Sequence, residues 1–158
     1  VGAEIPKSVV EEWLRSHGWS SERDIGDQAD RLIAERVEDS ARQGHPLRPS
    51  EAAVQFLHSF GGLDLAYPET PEIRWIVDPT VGYEGDAAEF AEFSEDLGRP
   101  LFPVGGETSE AGFLLMDDLG RCFYQHWSGR YYVGEDAWAA FAKRLRGTLM
   151  QDAEDFYV

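Results

Sequence analysis

The amino-acid sequence predicts a single-domain α+β fold with helices packed on one face of an antiparallel sheet. Three observations point there. Segments with apolar residues at i, i+3, i+4 and i+7 come first. Short runs rich in β-branched and aromatic residues, joined by tight turns, cluster in the centre, and a further helical segment follows them. The strand–helix–strand alternation of a doubly wound parallel sheet is missing.

The first helix is expected over about residues 8–17. Val10, Trp13, Leu14 and His17 share one face, Ser8-Val9-Val10-Glu11 reads as a capping box, and Gly18 as the stop. The second spans about 27–43 on a stripe of Ala29, Leu32, Ile33 and Val37, and Gly44 and Pro46 end it. The third begins at Pro49-Ser50, carries Ala53, Phe56, Leu57 and Phe60 inward, and closes at Gly61-Gly62. Ile73–Val77 is short and β-branched and reads as a strand, with Pro79 ending it. Residues 86–97 return to helical spacing through Phe90, Phe93 and Leu97, with Gly98 as the cap and Glu89, Glu92, Glu95 and Asp96 opposite.

Phe113–Met116 and Arg121–Trp127 read as strands joined by Asp117-Asp118-Leu119-Gly120, where Gly120 suits the positive φ of a hairpin loop. Ser128-Gly129 turns the chain into Tyr131-Tyr132-Val133, so a meander is expected near residues 113–133. The last helix, about 135–146, turns Trp138, Phe141, Ala142 and Leu145 inward. The domain is expected to cover residues 1–147, with 148–158 as an acidic, frayed tail.

Charge narrows the classes of partner. The formal net charge of the 158 residues is −16, and residues 49–98 hold eleven acidic side chains against one basic, Arg74. Such a field repels nucleic acid and anionic membrane and steers basic surfaces in. The basic residues before position 49 alternate with acids, and Lys143, Arg144 and Arg146 complement the end of a helix, so no basic footprint for nucleic acid is present. No apolar run is long enough for a bilayer, and VGAEIPKSVVEEW lacks a basic stretch followed by an apolar one. The single cysteine, Cys122, forbids an intrachain disulfide; a reducing, cytoplasmic setting is the expectation.

Motifs for chemistry are sparse. His17, His45, His58 and His126 are scattered, without metal-ligand spacing, so no metal or cofactor is expected. Cys122 sits in a strand, Ser109 and Ser128 lie in loops or turns outside any nucleophile elbow, and Gly61-Gly62 and Gly105-Gly106 match no phosphate loop and read as backbone turns. Asp117-Asp118 beside Glu107 and Glu110 form an acid/base pair if folding brings them within about 5–10 Å. Asp is equally at home as a hairpin-turn residue. What remains is an acidic, aromatic-rich scaffold. Tyr124, His126, Trp127, Tyr131 and Tyr132 are candidates for an open sheet face, and Tyr and Trp are favoured interface anchors.

Three stretches then carry a resemblance. They are Leu14-Arg15-Ser16-His17-Gly18-Trp19 with Arg23 shortly after; Ala53-Val54-Gln55-Phe56-Leu57-His58-Ser59-Phe60-Gly61-Gly62-Leu63; and Phe102-Pro103-Val104-Gly105 followed by Leu114-Leu115-Met116-Asp117, Gly120-Arg121 and an aromatic strand ending at Gly134. In order and spacing, over roughly residues 8–147, the chain resembles the SUKH-3 group of the SMI1/KNR4-like (SUKH) superfamily of bacterial immunity proteins. The resemblance implies an α+β domain that neutralises a cognate polymorphic toxin by binding it, with no catalytic residues to carry over. It also implies that the toxin is a nuclease or nucleic-acid deaminase. The acidic segment Asp78–Asp96 and the acidic tail lie outside the shared pattern.

Charge and resemblance agree on one expectation. A nuclease or deaminase presents a basic cleft to hold phosphates, and an acidic protein can occlude it. The cognate toxin domain is expected to be basic, and the expected contacts with it are Glu84, Asp86, Glu89, Glu92, Glu95, Asp96, Asp117 and Asp118, with Tyr124 and Trp127 as aromatic anchors. A non-toxin regulatory or scaffold module that binds a cellular protein is the alternative, and an enzyme using Asp117-Asp118 is a third reading.

Overall fold

A computed structural model describes residues 5–108, 112–147 and 151–158. Among them are α1 (Lys7–Ser16), α2 (Asp27–Arg42), α3 (Glu51–Phe60), β1 (Asp64–Tyr67), β2 (Thr70–Ile76), α4 (Asp86–Leu97), β3 (Leu101–Glu107), β4 (Gly112–Asp117), β5 (Cys122–His126), β6 (Gly129–Gly134), α5 (Ala137–Arg146) and β7 (Gln151–Asp152), with a 3₁₀ turn at Ala153–Phe156. The seven strands form one sheet in chain order, β1 through β7, each antiparallel to the next. The α+β class and the central meander stand.

The helix caps follow local chemistry. Ser50 accepts from Ala53 N–H at 3.1 Å and Asp136 from Ala139 N–H at 2.8 Å, each satisfying an amide that has no partner in the first turn. The expected capping box at Ser8 is not formed. Ser8 lies inside α1, which starts one residue earlier behind Pro6, with no side-chain cap.

Helix packing extends to both faces of the sheet. Trp75 on β2 is opposite Glu107 on β3, and on that face it meets Phe56 of α3 and Phe141 of α5. Trp13 of α1 joins them, 6.0 Å from Phe141. The other face holds Phe113 and Phe123, which pack against Phe90 and Phe93 of α4. The expectation of one covered face is thus corrected by α4. The physical reason lies in the central strands: β3 and β4 are buried along their whole length, so each face needs a cover.

Three strands were not anticipated. β1 is a four-residue strand paired with β2 behind a tight connection. β7 is two residues long. β3 contains the Gly105-Gly106 pair, expected as a turn, at a bulge where pairing with β4 shifts between Pro103 and Gly105. Gly105 has φ +148°, and a Cβ there would strike the Ile76 carbonyl and the Trp75 indole. Only glycine lets β2 and its largest side chain approach this closely.

Residues 151–158 are packed rather than frayed. β7 pairs with β6, Phe156 stacks on Tyr132 at 4.2 Å, and Val158 N–H donates to the Asp96 carbonyl at 3.3 Å. Residues 148–150 lie outside the described residues.

Candidate partner-binding surface

The acidic residues divide sharply by burial. Asp86, the first residue of α4, is 0% exposed. It accepts from Arg36 Nη2 of α2 at 2.8 Å, from Gln43 Nε2 at 3.1 Å and from Tyr83 N–H at 3.1 Å. Its charge is spent inside the protein, against a guanidinium 2% exposed. Asp117 is buried as well. It accepts from Leu119 and Arg121 N–H at 3.0 and 2.9 Å and from Arg121 Nε at 2.7 Å, closing the β4–β5 hairpin. Gly120, at φ +84°, completes that turn. Asp86 and Asp117 therefore leave the set of surface contacts. Charge patterning along the chain could not separate them from their neighbours, because burial depends on residues distant in sequence.

Glu84, Glu89, Glu92, Glu95, Asp96 and Asp118 are exposed. Four of them are already engaged by arginines from other elements. Arg42 holds Glu84 at 2.7 Å and draws its carboxyl below the usual range, Arg99 holds Asp118 at 3.1 Å, and Arg130 holds Asp96 at 2.8 Å. Arg130 also reaches Glu92 at 3.7 Å. Glu89 has one hydrogen bond among the described residues, from Gln125 Nε2 at 3.3 Å.

The aromatic candidates divide the same way. Tyr124 is buried on the α3/α5 face, beneath the Arg144 guanidinium, and is not an exposed anchor. Its position follows from the register, which puts Tyr124 opposite Leu114 on the covered face. Tyr131, Tyr132 and His126 are half-buried. Trp127, in the β5–β6 turn, is 82% exposed, with its ring tilted against His126 at 5.0 Å.

Trp127 forms one wall of a surface groove of about 460 Å³ between α4 and the β5–β6 turn. Glu89 and Glu92 come from α4, Gln125 and Arg130 from the strands, and Tyr83 from the loop before α4. Tyr83 is 43% exposed and rests on Phe113 at 5.5 Å. Residues that were 36 or more apart in the chain, Glu89 and Gln125, are thus brought together with the exposed indole. Tyr83, Gln125 and Arg130 escaped the sequence reading. Their only signal was a place beside predicted elements, which does not mark a groove.

The carboxylate pair that acid/base catalysis would need does not assemble from Glu107 and Asp117. Asp117 is opposite Leu101 and Glu107 opposite Gly112, so they stand at the two ends of the β3–β4 ladder. Six residues of strand separate them, roughly 20 Å. Glu107 is instead clamped by Arg144, at 2.7 and 2.9 Å, and by the Tyr67 hydroxyl. Burial, reinforced by the Glu107 charge, pushes the Tyr67 phenol up, and burial likewise pushes up the Cys122 thiol. Glu110 and Ser109 lie outside the described residues. Among the described residues no group of three or more His, Cys, Asp or Glu is placed to hold a metal ion, and no helix is long and apolar enough to cross a membrane.

A family model described as SUKH-3 immunity protein matches residues 6–147. No curated protein and no solved structure matches the chain.

Proposed function

The chain belongs to the SUKH-3 immunity protein family, and from that premise we propose that it neutralises a toxin by stoichiometric binding, without catalysis of its own. The observation that carries this reading is the exposed face of α4, where Glu89 and Glu92 line a groove with the exposed Trp127. An acidic face flanking a desolvatable aromatic suits a basic protein surface: charge raises the on-rate and the aromatic supplies affinity. The toxin class it fits is a nuclease or nucleic-acid deaminase, whose phosphate-holding cleft is basic and would be occluded. Such a protein acts in the cytoplasm, needs no cofactor, and has neither nucleic acid nor membrane as a direct partner.

The test is co-expression of the toxin domain encoded beside this gene. Cells carrying this protein survive the toxin, the two purified proteins form a complex, and its association rate falls as salt is raised. Survival without complex formation, or turnover of the toxin's substrate or product by this protein, defeats the reading.

A further inference from the structure

We propose that the groove between α1 and α5 is a second docking site, which takes a segment of a partner protein bearing both carboxylates and apolar side chains. The groove has a volume of about 460 Å³. Lys7 of α1 and Lys143 of α5 line it, and they are the only two lysines among the fourteen Lys and Arg residues of the chain. They come from opposite ends of the sequence and are brought together where α1 packs on α5. Exposed lysines alone would not single out a site. Eight arginines pair with carboxylates, but Lys7 and Lys143 pair with none among the described residues, in a chain with thirty acidic side chains. Lys7 is also costly where it stands. It is the first residue of α1, whose first turn holds no acidic residue, and a cation at that end opposes the helix dipole. Trp138 keeps it there, with Lys7 Nζ 4.5 Å from the ring centroid. Trp138 is in turn fixed edge-on against Trp19 and Phe60.

The lining sets the chemistry of the occupant. Val133, Ala139 and Ala142 supply an apolar surface between the two ammonium groups. Asp136 lines the groove as well, but its carboxylate is committed to Ala139 N–H as the α5 cap, and Glu135 forms no ion pair with either lysine. Ammonium donors beside an apolar surface fit carboxylates flanked by apolar side chains. A nucleic-acid backbone brings charge without apolar side chains, and the net charge of −16 opposes it along its length. A second copy brings another −16. A short acidic segment feels mainly the two lysines, because charges more than about 8 Å away are screened at physiological salt. The groove belongs to the helices on the sheet face opposite α4, so it is separate from the acidic face and independent of the immunity reading.

The isotopically labelled full-length protein is titrated at constant ionic strength with a short synthetic peptide of Glu, Leu and Ser, and with the same peptide carrying Gln for Glu. The Trp138 indole and the Ala139 and Ala142 methyl signals shift saturably with the Glu peptide, at a dissociation constant on the order of 0.1–1 mM, and not with the Gln peptide. Lys7→Gln with Lys143→Gln weakens binding at least fivefold while the thermal melt stays cooperative. Arg31→Gln with Arg48→Gln removes the same charge from exposed positions outside the groove and changes binding less than twofold. No saturable shift, an equal response to the Gln peptide, or an equal loss in the two double variants overturns the proposal. An equal response to a thymidine oligonucleotide also overturns it, by making the groove a phosphate site. Sedimentation of the free protein checks the remaining occupant. A mass that rises with concentration, and no longer does so in Lys7→Gln with Lys143→Gln, makes the occupant a second copy and overturns the proposal; an unchanged mass supports it.

Discussion

Arg36 of α2 and Asp86 of α4 meet at 2.8 Å with both side chains withdrawn from water, fifty residues apart in the chain. The pair ties the helix that carries the acidic face to the rest of the fold. Removing one partner leaves a buried charge without compensation. Asp86→Ala and Arg36→Ala are each expected to cost about 3–5 kcal/mol, measured by denaturant unfolding. A double change to apolar residues of similar volume, Arg36→Met with Asp86→Leu, should recover much of that loss. A single-variant cost under about 1 kcal/mol would show that the pair is not a structural tie.

Asp117 and Asp118 are neighbours with opposite duties. Asp117→Ala strips the hairpin of three acceptor interactions and should destabilise by about 1–3 kcal/mol. Asp118→Ala removes a surface pair with Arg99 and should change stability by less than about 1 kcal/mol. Equal effects in thermal melts would contradict the assignment of Asp117 to the turn.

Gly105→Ala places a methyl against the Ile76 carbonyl and the Trp75 indole at a φ that L-residues rarely adopt. The expected loss is about 1–3 kcal/mol. Trp75 fluorescence should report it, since its ring is the one displaced. A neutral result would mean that β2 and β3 separate without penalty.

The position of Gly105 also explains why β3 was illegible beforehand. Pro103, Gly105 and Gly106 argue against a strand locally, and the strand exists because apolar residues from both layers bury it. By contrast, Phe90, Phe93, Leu97 and the Gly98 cap set out α4 to the residue. Glu84 and Asp86 differ by two positions, yet one is on the surface and the other in the core. That difference is made by Arg36, and no local pattern encodes it. Trp127 was legible as an exposed aromatic, since a tryptophan beside a Ser-Gly turn has little to cover it. Tyr124 was not, because its face depends on strand register.

His58 bridges Asp24 at 2.6 Å and Asp30 at 2.8 Å, and these hydrogen bonds, Asp24 first, hold its pKa above the ordinary 6.5. The same contact draws Asp24 below 3.8. His58 therefore contributes its full stabilisation below 6.5 and loses it as pH rises through the raised value, while Asp24 contributes above 3.8 and loses its share as pH falls through the lowered value. The melting-temperature difference between wild type and His58→Gln should be larger near pH ~5.5 than near pH ~8.5. A difference independent of pH would show that the bridge carries no charge.

Arginines 36, 42, 74 and 130 take up five carboxylates of the acidic block, and the remainder still repel one another. Raising ionic strength from a few millimolar to about 0.15 M should raise the melting temperature, as a shorter Debye length weakens that repulsion. A flat or falling curve would mean that the arginines already balance the field.

The two-residue β7 has a consequence for self-association. It occupies the margin of the sheet beyond β6, then the chain leaves in a 3₁₀ turn, so the final strand offers almost no ladder for a foreign strand to extend. Asp152, Glu154 and Asp155 put negative charge along that margin. Deleting residues 151–158 would bare β6, with Tyr131 and Tyr132, and turn a protected margin into a template for aggregation.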